Sequence, residues 1–214
     1  MPKLTCHEAQ IYGLIRYARQ QVEIGFVLQS LLSYLQYKVN LLDIERFTEK
    51  TVRQFEGRSE SALLAEAGQW FDDYCLPAIY AEARARIAEH QAHGHVVALV
   101  SGSTKYVVEP LARHLGIDHT MHTHMEVKDG SFTGRVIQPV CFGEGKIYWL
   151  QQFIEEHGVD LAKSWFYTDS ITDRPLMDLV GHPVAVNPDP LLYREAVRRC
   201  WPVRFFDPPD QSGA

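Results

Sequence analysis

The spacing of apolar residues changes near Gly94, and this change constrains the fold of the 214-residue chain more than any other feature. From about Thr5 to His93, apolar side chains recur every three or four residues, which predicts helices, the first beginning at a capping box of Thr5 and Glu8 and the last ending at Gly94. From Val96 onward, short β-rich runs alternate with helical segments, which predicts a parallel sheet flanked by helices. The predicted elements include strands Val96 to Val100 and Trp165 to Thr168, a hairpin turn at Asp129-Gly130, and a helix after the second strand that ends at Val180. The sequence therefore predicts an α/β protein with a large helical region before the sheet.

Composition excludes several classes of partner. The net charge is -6 and the Lys and Arg residues are scattered, so we expect no nucleic-acid partner. The four cysteines lie far apart without CxxC spacing, and residues 1–8 contain no apolar region of a signal peptide. The longest apolar stretch is too short for a bilayer span. We predict a cytoplasmic protein without a membrane partner.

A hydroxyl-rich segment follows the first β-rich run, at Ser101-Gly102-Ser103-Thr104. Its hydroxyl groups, its flexible glycine and the free N–H groups of the following helix suit an anion, most often a phosphate. A simpler alternative is that Ser103 or Thr104 caps the helix. The segment alone leaves both alternatives open.

Two carboxylates four positions apart follow the apolar run Trp165 to Thr168. In open α/β sheets, ligands bind at the carboxyl ends of strands, so Asp169 and Asp173 predict a site for a hard cation. Asp173 alone could instead be a helix cap. Lys146 lies at a predicted helix start, where the helix dipole disfavours its charge, so it has a role in a site or is a solvated surface residue.

Two other site types are disfavoured. The segment around Lys146 lacks a Walker A motif, because Val140 stands where glycine is needed and Ile147 where serine or threonine is needed. A second group of residues, four histidines, would suit a zinc site by type, but no cysteine or carboxylate of suitable spacing joins them. These histidines are His114, His119, His122 and His124.

Taken together, the motifs resemble those of the haloacid dehalogenase-like hydrolases. They are Val-Ser101-Gly-Ser, Gly-Glu-Gly-Lys146, Tyr-Thr-Asp169-Ser-Ile-Thr-Asp173-Arg-Pro and Val-Asn-Pro-Asp189, in this order. The resemblance is to the phosphoserine-phosphatase-like subgroup, which also contains histidinol-phosphate phosphatases. It implies a Rossmann-like parallel sheet with helices on both faces and an inserted helical cap. Residues 5–93 would form the cap, and residues 94–214 with residues 1–4 would form the core.

The resemblance also implies roles for individual residues in the hydrolysis of a small phosphorylated metabolite. Ser101 and the amide of Gly102 would hold the phosphate, and Lys146 would neutralise the nucleophile and the phosphoryl oxygens. Asp169 and Asp173 would hold Mg²⁺ directly or through water. Ser101, Lys146, Asp169 and Asp173 are thus the predicted catalytic residues.

The sequence departs from this family at its beginning. The first motif of the family, Asp-x-Asp-x-Thr on the first strand, supplies the aspartate that attacks phosphorus and a second that protonates the leaving group. Residues 1–40 contain only two carboxylates, Glu8 and Glu23, both in helical patterns. In the family that strand lies between those ending at Ser101 and Asp169, so we expect the first central strand to be missing.

Three interpretations follow from this departure. The chain could be a truncated or mis-started version of an active Mg²⁺-dependent phosphomonoesterase. It could be an inactive pseudophosphatase that binds a phosphorylated ligand or a protein, with the two flanking strands paired directly. Alternatively, a partner chain or an exchanged segment supplies the strand, which predicts an obligate oligomer such as a homo-oligomer. A response-regulator-like phosphoacceptor is disfavoured by the large helical insertion before Val96.

Overall fold

The computed structural model describes residues 44–208, which form seven α-helices and six β-strands. The helices are α1 (Ile44–Arg53), α2 (Glu60–Trp70), α3 (Ala81–Ala92), α4 (Lys105–Leu115), α5 (Glu144–His157), α6 (Arg174–Met177) and α7 (Pro190–Arg199). The strands are β1 (Ala98–Thr104), β2 (His119–Lys128), β3 (Ser131–Ile137), β4 (Trp165–Thr168), β5 (His182–Val186) and β6 (Val203–Arg204). The predicted α/β class is confirmed.

The region before Gly94 is helical in its described part, as the spacing predicts. A π-helical turn at Phe71–Cys75 and a 3-10 turn at Leu76–Ala78 separate α2 from α3. Gly94 follows α3 with a φ of 72°, a left-handed conformation that suits glycine after a helix end. The predicted cap at Thr5 lies outside the described residues.

The strands form two sheets of three strands each, in the orders β1-β2-β3 and β4-β5-β6. In the first sheet β1 pairs in parallel with β2, and β2 forms an antiparallel hairpin with β3. Asp129 and Gly130 form the hairpin turn with φ values of 51° and 73°, which is the backbone that this predicted Asp-Gly turn needs. In the second sheet β4, β5 and β6 are all parallel.

β1 and β4 belong to different sheets, although their ends carry the two predicted halves of the site. Within residues 44–208, β1 pairs only with β2, and β4 pairs only with β5. Direct pairing of the two flanking strands, as the pseudophosphatase interpretation supposes, is therefore not formed. The described part of the fold has a break where the resemblance places its first central strand.

One apolar core nevertheless joins the two sheets. It consists of the buried residues Met121, Cys141, Leu150 and Leu176, against which Ala98, Val100 and Phe166 pack. Since these residues come from β1, β2, α5, β4 and α6, helix α5 bridges the break. Burial of apolar area at about 25 cal/mol per Å² thus holds together two sheets that share no ladder of hydrogen bonds within residues 44–208.

The helical region is fastened to the first sheet by backbone hydrogen bonds. Gly57 N–H donates to Phe132 O and Phe132 N–H donates to Arg58 O, both at 2.9 Å. Glu60 N–H donates to Gly130 O at 2.9 Å, and the Glu60 carboxylate accepts from the Tyr106 hydroxyl at 2.8 Å. The segment between α1 and α2 and the start of α2 are therefore fastened to the β2-β3 hairpin and to α4. The division into a cap at residues 5–93 and a core stays a prediction.

Two boundaries differ from expectation. Strand β1 continues through Ser101 to Thr104 rather than ending at Val100, because Thr104 still pairs with Thr123 after an irregularity in the ladder. The helix expected after Asp173 extends only from Arg174 to Met177.

None of the helices between residues 44 and 208 combines the length and the apolar content needed to cross a membrane. The cytoplasmic location stays a prediction.

Candidate active site

The end of β1 is held in place by a network of short polar contacts. Ser103 N–H donates to Ser101 Oγ at 3.2 Å, and Thr123 Oγ1 donates to Gly102 O at 2.8 Å. Thr123 Oγ1 in turn accepts from Cys141 N–H at 3.2 Å. Thr104 is the N-cap residue of α4, yet its side chain makes no capping hydrogen bond. Capping by Thr104 therefore does not account for this hydroxyl-rich segment.

The loop before Lys146 fits only because of its glycines. A Cβ atom on Gly145 would lie 1.9 Å from Val140 O, and Gly143 has a φ of 53°. The same loop contacts the end of β1, since a Cβ atom on Gly102 would lie 3.4 Å from Phe142 Cδ2. The glycines thus let the loop turn tightly against Ser101-Gly102 and start α5 with Lys146 facing inward.

Lys146 and Asp173 form a buried ion pair. Lys146 Nζ lies 2.7 Å from Asp173 Oδ1 and 2.8 Å from Oδ2, and the Thr168 hydroxyl donates to Oδ2 at 2.6 Å. The exposed fractions are 7% for Lys146, 5% for Asp173 and 9% for Thr168. Lys146 is therefore not a solvated surface lysine. Asp173 precedes α6 but makes no side-chain capping hydrogen bond, so the cap alternative for Asp173 is also wrong.

Asp169 follows β4 directly and is half-buried. Its carbonyl oxygen accepts from Asp189 N–H at 2.7 Å. The Asp189 carboxylate accepts the N–H groups of Ile171, Leu191 and Leu192 at 2.8 to 2.9 Å, so this side chain caps α7 and fixes the turn after Asp169. Asp189 thus supports the position of the predicted metal ligand, a role that its place in the sequence did not reveal.

Cys141 lies among the predicted site residues, although no motif or spacing in the sequence marks it as part of the site. Its side chain is fully buried, and burial is the main cause that raises the pKa of its thiol to about 11. The nearby Lys146 charge and the Ser101 N–H oppose that rise in pKa, while the Asp173 charge adds to it. The Cys141 thiol therefore lies close enough to the Ser101 N–H group and to the Lys146 and Asp173 charges for each of them to affect its pKa.

The donor set at the end of β4 suits Mg²⁺, which is commonly bound by one or two carboxylates with water and substrate phosphate completing its shell. Lys146 and Thr168 already donate to both Asp173 oxygens, so Asp173 is a candidate for a ligand through water, and Asp169 is the other candidate ligand. Among the described residues, no three His, Cys, Asp or Glu side chains form a group that could enclose an ion.

The four histidines considered above for zinc do not converge. The His119 ring lies 4.5 Å from the His157 ring, and the His114 ring lies 5.8 Å from the Phe71 ring. His122 and His124 have ring centroids 4.3 Å apart, and burial lowers the pKa of both. They belong to the packing between β2 and its neighbouring helices.

A cavity of about 310 Å³ lies beside the loop that precedes Lys146. It is lined by residues of α1 and of the loop, namely Ile44, Glu45, Val140, Phe142, Gly143, Glu144 and Gly145. The helical region before Gly94 therefore forms one wall of a space next to the candidate site.

Comparison with known proteins identifies the family of the chain. The family model described as haloacid dehalogenase-like hydrolase matches residues 9–178. A Neisseria meningitidis histidinol-phosphatase is 33% identical over 177 residues, which cover 81% of this chain and 80% of that protein. The chain belongs to the haloacid dehalogenase-like hydrolase family, as its motifs predict.

Two further similarities bear on the extent of the fold. A Bordetella pertussis protein of unknown function has a solved structure that matches with a TM-score of 0.83 and 29% identity, covering 94% of this chain and 92% of that one. A Mycobacterium tuberculosis protein named as a probable phosphatase is 43% identical over 137 residues, or 64% of this chain. The chain spans about half of that relative, since the match covers 47% of its length.

Proposed function

We propose that this chain provides the phosphate-binding and metal-binding part of a phosphatase that acts on small phosphomonoesters. The observation that carries the proposal is the buried Lys146–Asp173 ion pair beside the end of β1. A cation buried there, next to the Ser101-Gly102 segment, suits a dianionic phosphoryl group. Relatives named as phosphatases, one of them a histidinol-phosphatase, support the same reaction class.

Each predicted site residue has a role in this proposal. The Ser101 hydroxyl and the Gly102 amide hold the phosphate, and Lys146 neutralises its charge while Asp173 orients the ammonium group. Asp169 holds Mg²⁺ directly, and Asp173 holds it through water. When bound, Mg²⁺ supplies positive charge that lowers the repulsion between the phosphoryl oxygens and an attacking anion. The cavity beside the loop before Lys146 has room for part of the substrate.

The attacking carboxylate is the remaining part of the proposal. The sequence contains no Asp-x-Asp pair, and β1 and β4 each have one edge without a partner strand among the described residues. We infer that a strand bearing this motif inserts between β1 and β4 and completes the sheet. Its first carboxylate would attack phosphorus and form an aspartyl phosphate, while the second would give its proton to the departing ester oxygen. Water would then release inorganic phosphate.

The second candidate function is a phosphate-binding module without turnover. The absence of an Asp-x-Asp pair from the sequence favours it. The two candidates share the binding site and differ only in hydrolysis. Binding and turnover must therefore be measured separately on the same preparation.

The experiment compares phosphate binding with turnover. Calorimetry with inorganic phosphate and Mg²⁺ should show binding that Ser101→Ala and Asp169→Ala weaken, and no binding would refute both candidates. Hydrolysis of p-nitrophenyl phosphate is then followed with and without a synthetic strand peptide carrying Asp-x-Asp. A peptide with Asn-x-Asn in its place is the matched control.

The results separate the alternatives. Turnover only with the Asp-x-Asp peptide supports strand insertion, and binding without turnover under either condition supports the binding module. Turnover by the chain alone, abolished by Asp169→Ala, would refute the need for an added strand. Light scattering tests the homo-oligomer separately, since a second copy of the chain, which also lacks Asp-x-Asp, could complete the sheet but could not supply the attacking carboxylate. A panel with phosphoserine and histidinol phosphate then ranks substrates.

A further inference from the structure

We propose that His90 and His95 form a binding site for a divalent transition-metal ion of the zinc class, separate from the carboxylate site. Their Nδ1 atoms lie 2.9 Å apart and face each other. Imidazole nitrogens are among the preferred ligands of Zn²⁺ and of its neighbours in the first transition series. With His93, these residues have the same His-x-x-His-x-His spacing as His119, His122 and His124, and here two ring nitrogens lie within hydrogen-bond distance of each other.

The backbone at the end of α3 fixes the two imidazoles in this position. Gly94 has a φ of 72°, and the turn that it allows returns the chain over the last helical turn. His95 N–H donates to His90 O at 3.1 Å, and Gly94 N–H donates to Gln91 O at 2.9 Å. Two residues five positions apart therefore present their side chains to each other, at the negative end of the helix dipole, where a cation is favoured.

The contacts around the pair are those that a metal-binding histidine needs. The Nε2 atom of His90 lies 2.9 Å from the Tyr167 hydroxyl oxygen. When a metal ion takes the Nδ1 lone pair, Nε2 carries the proton and donates it to that oxygen, which is the usual outer-shell arrangement for such ligands. The His95 ring stacks on the Trp165 ring at 5.3 Å and 17°, which restrains its rotation.

Only a small movement converts the pair into a chelate. Without metal, one Nδ1 atom donates its proton to the other across the 2.9 Å distance. Two nitrogens about 2.0 to 2.1 Å from a tetrahedral ion lie about 3.3 Å apart, so the pair has to open by about 0.4 Å. Because no group of three His, Cys, Asp or Glu side chains encloses an ion within residues 44–208, water completes the coordination.

The site would link the two sheets. His90 and His95 precede β1, whereas their partners Tyr167 and Trp165 lie on β4. A bound ion would fix both imidazoles and thereby stiffen the contacts across the break between β1 and β4. The site lies at the beginning of these strands and the candidate active site lies at their ends, so the two ions would not compete for ligands.

The test is calorimetry with Zn²⁺ on the folded chain in a large excess of Mg²⁺, with Cys6 and Cys200 replaced by serine to remove thiol ligands. We expect saturable binding of one ion. Tyr167→Phe should weaken it about tenfold, at the lower end of the usual outer-shell effect, and His95→Ala should weaken it more. His157→Ala is the matched control, because its ring also contacts another imidazole, at 4.5 Å, away from the proposed site.

Electron paramagnetic resonance with Cu²⁺ gives a second readout, since it counts the coordinated imidazoles. The proposal expects two in the unsubstituted chain and in His157→Ala, and one in His95→Ala. Circular dichroism confirms that each variant is folded. No saturable Zn²⁺ binding, or equal affinity in the unsubstituted chain and His95→Ala, would overturn the proposal. The metal site does not depend on phosphatase activity, and neither calorimetry nor electron paramagnetic resonance measures that activity.

Discussion

The buried ion pair between Lys146 and Asp173 makes a quantitative prediction about stability. Replacing Lys146 by methionine keeps a long side chain and a good helix former in the first turn of α5, but removes the cation. Asp173 would then remain 5% exposed with only the Thr168 hydroxyl as a side-chain hydrogen-bond donor among the described residues. Without the Lys146 cation, the buried Asp173 carboxylate has lost most of the interactions that compensated the cost of removing it from water.

The expected cost follows from that burial. Removing one partner of a buried ion pair typically destabilises a protein by about 3 to 5 kcal/mol. For a domain of about 150 to 250 residues, each kcal/mol lowers Tm by about 2 to 4 °C, so Lys146→Met should lower it by about 6 to 20 °C. Such a loss is a large part of the roughly 5 to 15 kcal/mol by which folded proteins are stable.

Urea unfolding of a double-mutant cycle provides the assay. Asp173→Leu alone should also destabilise, because it leaves the Lys146 charge buried. The double variant, in which both charges are absent, should be more stable than the sum of the two single effects implies, by about 0.5 to 3 kcal/mol. If Lys146→Met costs less than about 1 kcal/mol, or the two effects are additive, the reasoning from burial is refuted.

Three further predictions address the loop, the thiols and pH. Gly145→Ala should destabilise the protein by about 1 to 3 kcal/mol, because the new Cβ atom would clash with Val140 O. Gly68→Ala should instead stabilise it by about 0.5 to 1 kcal/mol, because Gly68 lies inside a helix with open space around it. Equal effects of the two substitutions in thermal unfolding would contradict this prediction. Iodoacetamide should modify exposed Cys200 before native Cys141, whose buried thiol has a pKa of about 11, as peptide mass spectrometry would show. Burial lowers the pKa of His122 in the folded state, so its protonation favours unfolding, and stability should fall as pH drops below about 6.5. His122→Gln should reduce that dependence in unfolding measured from pH 8 to about pH 5, and an unchanged slope would exclude this histidine as a cause.

Local signals in the sequence predicted local structure well. The strand Trp165–Thr168 was predicted with its observed bounds, because a short β-rich run ends in polar residues. Gly94 and the Asp129-Gly130 turn were also identified correctly, since positive φ values restrict the residues that fit. These features depend on a few neighbouring residues, which is why pattern and spacing sufficed.

Local sequence signals could not predict contacts between residues that are far apart in the chain. The alternatives for Lys146 and Asp173 could not be decided, because the two residues are 27 positions apart and their pairing depends on how α5 packs across both sheets. Cys141 has no spacing that marks it as part of the site. The convergence of His90 and His95 depends on one left-handed residue and on Tyr167, 77 positions away from His90.

Under the proposed function, the break in the sheet and the position of the site would couple folding to chemistry. β1 and β4 each leave one edge without a partner strand in the described range, and the polar residues of the candidate site lie at the carboxyl ends of the same two strands. A strand that enters parallel to both would satisfy backbone groups on its two sides, each worth about 1 kcal/mol when paired. Its carboxyl end would then lie between Ser101 and Asp169, because ligands in such sheets meet the carboxyl ends of strands. Completion of the sheet and completion of the site are therefore one event, so a strand that restores turnover should also raise the stability of the chain.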